Sequence, residues 1–386
     1  MIVLQRARQG LLEQRVNSGR VKKGKSLLPD RRLCGMQESQ RPYRPLGGRN
    51  SNLKANLVDG KLPVVVVLGV HRSGTSLTAN FMNAAGVDFG QDLPPADKWN
   101  AAGYWESQTI REIHDEILKE LNCNWHNPPL SFPAEWWRKP RIQELKKGLA
   151  EFVGSQCKRK DKIYGFKDPR TALLLPLWLE IFDELQLEPL YVLTVRHPGP
   201  VAASLASRDG LGLAHSQALW FKTNLDVVSH AGNKLRAIVD YDCWFDSGME
   251  QARTVVKSLD LAQAISEEQI VSAVNQTIHS GLRHHSSGQD EKLSPVVARF
   301  YSLLRQAATD GKVPDELWTL TENFERTKDL WAIWDGLVSE RDAVVEATTT
   351  RLKKQKELYT YVIISILVVF SLISSFLLFG AHKWFE

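Results

Sequence analysis

Apolar positions in this chain fall into short dense runs, each closed by glycine or charge and followed by a segment with helical spacing. Residues 64–68 read Val-Val-Val-Val-Leu. A continuous β-branched run of this length predicts a strand buried on both faces. Gly69 and Gly74 then bracket a tight loop, after which Leu77, Phe81 and Ala85 recur at helical spacing until Gly86 offers a stop. The sequel repeats. Residues 163–166 predict a second strand with a helix from Thr171, residues 190–195 a third with a helix behind it, and residues 237–241 a fourth with helical patterns through Val271. Strands alternating with helices predict an α/β fold around a central parallel sheet. Between the first two strands, residues 87–102 form a connection broken by Pro94 and Pro95. Thr109 and Glu112 then make a capping box for a helix whose buried face carries Ile110, Ile113, Ile117 and Leu121.

The last third follows another pattern. Residues 322–356 are dense in charge, with Leu330, Trp334, Leu337, Val344 and Leu352 spaced for an amphipathic helix. Arg341 and Thr348 interrupt its seam, so it reads as a spacer or a homodimer contact. Residues 358–380 carry no formal charge and would rise about 34 Å as a helix, which predicts a single transmembrane helix. Tyr359, Tyr361 and Trp384 suit the membrane interfaces, and Arg351, Lys353, Lys354 and Lys356 outweigh Lys383. This bias predicts a single-pass C-terminal anchor, with the large N-terminal part facing the cytosol.

Composition refines the outline. The chain has 386 residues, 43% of them hydrophobic, ample for one large α/β domain with accessory pieces. Cys34, Cys123, Cys157 and Cys243 form no C-x-x-C pair, which favours reduced thiols over a zinc site or disulfide scaffold. The net charge of +5 is uneven: residues 1–61 hold 14 Lys and Arg against 4 Asp and Glu, so the remainder is −5. Without a sustained apolar run this basic leader reads as a flexible tail, not a signal peptide. The predicted organisation is a leader over 1–61, a main domain over 62–290, a helical spacer over 291–357 and the anchor over 358–380.

Candidate chemistry gathers at the strand ends. A glycine loop between strand and helix presents unpaired N–H groups and a positive dipole end to a phosphate, although such loops also serve as plain turns. Gly69 to Gly74 has the spacing of a nucleotide P-loop, yet the next position holds Thr75 where a nucleotide-triphosphate loop has lysine. Positive charge sits instead on Arg72, flanked by Ser73, Thr75 and Ser76. Glu106, in Gly103-Tyr-Trp-Glu106, precedes a helix N-terminus, which favours an ionised carboxylate able to take a proton from an alcohol or to brace the helix. Lys167 ends the second strand in Lys167-Asp-Pro-Arg170, where open α/β sheets face their ligand crevice. Arg196 ends the third strand with Ser204 eight residues on, a planar fork and a hydroxyl fit for phosphate. Residues 124–137 form a Trp- and Pro-rich loop, either a stacking surface or a lid. His284 and His285 read as loop surface, not a metal site.

Taken together, the loop over 69–76, the Lys-Asp-Pro element and the arginine followed by Pro-x-x-Val-x-x-Ser resemble sulfotransferases that use 3'-phosphoadenosine 5'-phosphosulfate (PAPS). The resemblance covers roughly residues 63–241. It implies a P-loop-type three-layer fold and transfer of a sulfuryl group from PAPS to an acceptor hydroxyl on a saccharide or glycolipid. It also implies Arg72, Glu106 and Lys167 as catalytic residues; His114 and Asp115, one to two helical turns beyond Glu106, are the reserve candidates for the base. The donor would be held by Arg72, Ser73, Gly74, Thr75, Ser76, Arg196 and Ser204. No metal and no nucleic acid are implied. The other readings are a membrane-tethered nucleotide-binding or scaffold protein without turnover, and a P-loop kinase with Asp240 or Asp242 on magnesium.

Overall fold

The valine run forms strand β1 (Leu62–Leu68), hydrogen-bonded in parallel to β2 (Tyr164–Lys167) on one side and β3 (Leu187–Val195) on the other. Strand β4 (Leu235–Asp240) adds to β3, giving a four-stranded parallel sheet in the order β2-β1-β3-β4. The α/β class and the parallel sheet are as the sequence predicts. The protein is represented by a computed structural model that describes residues 60–94, 103, 105–158, 162–279 and 293–382. Most of the basic leader, Pro95, Tyr104, His284, His285 and Trp384 lie outside the described residues.

Alternation along β1 sorts its side chains to two cores. Val64, Val66 and Leu68 join Phe166, Tyr191 and Leu193 on one face. That face is covered by helices α2 (Gln108–Glu120), α3 (Pro140–Cys157), α4 (Leu175–Glu184), α5 (Pro198–Asp209) and α6 (Leu213–Ala231), which bring Ile117, Leu149, Trp178, Val201 and Trp220. Val65 and Val67 join Leu190, Val192 and Val239 on the other face. There α1 (Thr75–Ala85), α7 (Gly248–Ser258) and α8 (Glu267–Thr277) supply Phe81, Met82, Val255 and Ala273. Helix, sheet and helix make three layers. Each fully buried valine contributes about 1.5–3 kcal/mol relative to exposure, which anchors β1 at the centre.

Two local expectations change. Helix α2 is capped by Ser107, whose hydroxyl accepts from the Ile110 backbone N–H, and not by Thr109. Ser107 wins because its Oγ also donates to Asp92, which fixes the incoming loop. The second change concerns the C-terminal third, where α9 (Pro295–Asp310), α10 (Asp315–Glu325) and the long α11 (Lys328–His382) follow. Leu330, Val344 and Leu352 lie exposed on α11, while the side chains of Trp334 and Leu337 lie outside the described residues. Among the described residues no helix is long and apolar enough to cross a membrane. The transmembrane helix expected over 358–380, the single-pass anchor and its cytosol-facing placement are therefore corrected.

Candidate active site

The carboxyl ends of β1, β2 and β3 converge on the glycine loop, and the loop's conformation explains its glycines. Gly69 sits at φ +146, and a Cβ there would meet the Thr194 carbonyl oxygen at 2.6 Å. Gly74 sits at φ +93, where a Cβ would meet the Tyr241 ring at 2.2 Å. Arg72 adopts φ +71 without being glycine. A left-handed non-glycine residue costs about 1–3 kcal/mol and persists where its surroundings fix it. The Ser73 hydroxyl donates to the Val70 carbonyl (2.7 Å), so Ser73 shapes the loop from within. Thr75, also buried, packs its methyl against Gly69.

The predicted site residues meet in two groups. In the first, Arg72 Nε donates to Ser204 Oγ (2.8 Å) and Arg196 Nη1 donates to the Arg72 carbonyl (3.2 Å). The Arg196 guanidinium lies 4.3 Å from the centre of the Tyr241 ring, and Trp220 Nε1 donates to the Arg196 carbonyl (3.0 Å). Residues 132 positions apart thus share one hydrogen bond beside the loop. In the second group, Lys167 Nζ donates to Glu106 Oε1 (2.7 Å) and to Ser76 Oγ (3.2 Å). Lys167 is 2% exposed and Glu106 11%, so this ion pair is nearly dry. Removing one partner of such a pair leaves an uncompensated charge, the costliest way to break it.

Behind Lys167 the turn is cross-linked. Asp168 caps the 3-10 turn Pro169–Ala172 by accepting from the Arg170 backbone N–H and from Arg170 Nη1, each at 2.9 Å. Burial by itself would raise the Asp168 carboxyl, but the Arg170 charge and the His114 hydrogen bond outweigh it and hold it well below the usual range. His114 is fully buried, with Nδ1 on Asp168 Oδ2 and Nε2 receiving the Trp178 N–H, both at 3.0 Å. With both nitrogens engaged, His114 has no place for a substrate proton. Asp115, half exposed, accepts from Arg170 Nε (2.6 Å).

The Trp-rich loop packs as a lid. Trp125 lies 4.0 Å, ring to ring, from His71 of the glycine loop, and the Arg208 guanidinium lies 5.4 Å from the Trp125 ring centre. Trp136 is buried and Trp137 Nε1 donates to Glu180. His71, unmarked in the sequence reading, has its Nε2 sealed from solvent. Burial, then the Arg170 charge, pushes its imidazole well below the ordinary value, so it is neutral. Tyr241 was likewise unmarked, although its place just past β4 follows the strand-end rule that found Lys167 and Arg196.

Asp240 is taken up by its neighbours: Oδ1 accepts from the Asp242 backbone N–H (2.9 Å), and Arg305 Nε lies 3.2 Å from Oδ2. Among the described residues no group of three or more His, Cys, Asp or Glu could hold a metal ion. Cys123, Cys157 and Cys243 are free thiols, and burial pushes Cys123 up to about 11.

No family model matches the chain, and no curated protein matches it. Among solved structures it is similar to the sulfotransferase domain of the Synechococcus PCC 7002 olefin synthase, at 15% identity and a TM-score of 0.36, over 73% of this chain and 98% of that one. It is also similar to sulfotransferase STF9 from Mycobacterium avium, at 11% identity and a TM-score of 0.34, over 64% and 76% of the two chains. A third likeness is to retinol dehydratase in complex with androsterone and the inactive cofactor PAP, at 11% identity and a TM-score of 0.27, over 69% and 80%. Likenesses this distant carry no argument about chemistry here, which rests on the loop and the strand ends.

Proposed function

We propose that this protein is a PAPS-dependent sulfotransferase acting on an acceptor hydroxyl, with saccharides and glycolipids the acceptor class to screen. The observation that carries the reading is the pairing of two strand-end groups around one glycine loop: Arg72, Arg196 and Ser204 on one side, Lys167 and Glu106 on the other. The residues fit the donor. Gly69 and Gly74 let the loop turn tightly where a Cβ would strike the Thr194 carbonyl or the Tyr241 ring, and the Arg196 guanidinium with the Ser204 hydroxyl suits a second phosphate on the ribose.

When bound, PAPS supplies an activated sulfuryl group whose leaving group is a phosphate. The acceptor oxygen bonds to sulfur as the bond from sulfur to the 5'-phosphate oxygen breaks, and that oxygen keeps the electron pair. Glu106 receives the acceptor proton. Lys167 and Arg72 neutralise charge on the sulfuryl oxygens and the leaving phosphate, stabilisation that costs no reorganisation in a preformed site. Lys167 also holds Glu106 in place before the acceptor arrives.

Transfer of label from PAPS to a saccharide panel tests this. Glu106→Gln should lower transfer by about 10²–10⁴-fold while binding 3'-phosphoadenosine 5'-phosphate (PAP) as wild type does. Wild type that binds PAP yet transfers to no acceptor would favour a binding protein without turnover.

A further inference from the structure

Three residues of one turn each reach the same helix or its entry loop. Lys167 bonds Glu106 (2.7 Å), Asp168 bonds His114 (3.0 Å) and Arg170 bonds Asp115 (2.6 Å). The sequence separations are 61, 54 and 55 residues, so the links are tertiary and tie α2 to the end of β2 as one unit. Two of the six residues, Asp168 and His114, are completely buried. The centre of the unit is therefore dry, where hydrogen-bond geometry is least forgiving.

The protonation state of His114 follows from its partners. An indole N–H only donates, so His114 Nε2, at 3.0 Å from Trp178 Nε1, is the acceptor and carries no proton. The neutral ring's proton is then on Nδ1, which donates to Asp168 Oδ2. Asp168 Oδ1 accepts from the Arg170 backbone N–H and from Arg170 Nη1. Three donors converge on one carboxylate, and none of them adds charge at the His114 position.

We propose that His114 is a positioning residue for sulfuryl transfer, locked by Trp178 in the Nδ1–H tautomer so that it fixes Asp168 and, through the turn, the Lys167–Glu106 pair. This rests on the transfer reading above. His114 touches no substrate. It sets the placement of two groups that do, from the helix that follows one and the turn that follows the other. Misplacing reacting groups by about 1 Å costs on the order of a hundredfold in rate.

Two measurements on the full chain test it. The first is the ¹⁵N spectrum of His114, assigned by its loss in His114→Asn. The proposal requires a pyrrole-like Nδ1 and a pyridine-like Nε2 at neutral pH; the reverse tautomer, or a doubly protonated ring, overturns it whatever the activity. The second compares transfer from labelled PAPS, using p-nitrophenol as the hydroxyl acceptor, with PAP affinity. His114→Leu should lose about a hundredfold in turnover, with PAP affinity changed less than about threefold. His114→Asn, whose amide can still donate to Asp168, should recover most of that turnover. A His114→Leu protein that melts earlier but turns over normally per folded molecule makes the residue merely structural and overturns the proposal. Wild type that neither binds PAP nor transfers sinks the parent reading, a failure told apart from loss of the tautomer alone.

Discussion

The two charged groups beside the glycine loop differ in their described contacts. At the end of β2, Lys167 and Arg170 are matched to Glu106, Asp168 and Asp115, cation against carboxylate, with His114 and Trp178 completing a buried chain. At the ends of β1 and β3, Arg72 leans on a serine hydroxyl, and Arg196 on a carbonyl and an aromatic ring. A cation can exchange hydrogen bonds to a hydroxyl or a carbonyl for bonds to a phosphate at little electrostatic cost. One locked to a buried carboxylate cannot leave it without stranding a charge. On the proposed function, the arginine side binds the donor's 3'-phosphate and the lysine side holds fixed geometry.

The sharpest way to break that contrast is Lys167→Met, which leaves Glu106 beside the loop without its cation. Urea unfolding should show a loss of about 3–5 kcal/mol, together with loss of transfer. A variant as stable as wild type would show that the pair is not structurally fixed.

Arg196→Ala probes the other side and should be gentler on the fold. It should weaken PAP binding by about 1.5–3 kcal/mol, the worth of a charge-assisted hydrogen bond, and leave 5'-AMP binding nearly unchanged. Calorimetry with the two ligands reads this directly, and equal losses for both would move Arg196 away from the 3'-phosphate.

The smallest effect lies between the groups, at His71, faced by Arg170, Arg208 and Lys167, which oppose its protonation, and by Asp168, which favours it. The folded ring resists a proton that the unfolded chain accepts below about pH 6.5. Below that pH the unfolded state binds more protons, so stability falls as pH falls, by up to about 1.4 kcal/mol per unit. Above it the contribution is flat. His71→Gln should lessen the decline in urea midpoint between pH 7.5 and pH 5.5, and an unchanged slope would place the titration elsewhere.

What could be read from the sequence was whatever local pattern encodes. Short apolar runs marked the strands, glycines the loop, and strand-end position marked Lys167 and Arg196, because a parallel sheet aims those residues at one crevice. The Asp168–His114 link left no such trace, since its partners are 54 residues apart and meet only when α2 packs on the turn. Helix α6 hid its role for another reason. Ser216, Gln217, Lys222, Thr223, Asn224 and Asp226 are all buried, so polarity there does not mark a solvent face. Lys222 and Asp226 pair with each other at 2.7 Å, which a hydropathy pattern cannot show. Ser107 displaced the expected cap because Asp92, fifteen residues away, holds its hydroxyl. The apolar run over 358–380 invited a spanning helix that the described residues do not form.

The most direct test of the account is calorimetric binding of PAP to the full chain, set against ATP and 5'-AMP. The two-sided site predicts that PAP binds at least tenfold more tightly than either, because the 3'-phosphate recruits the arginine side. Equal or tighter binding of ATP would contradict the account and turn attention to phosphoryl transfer.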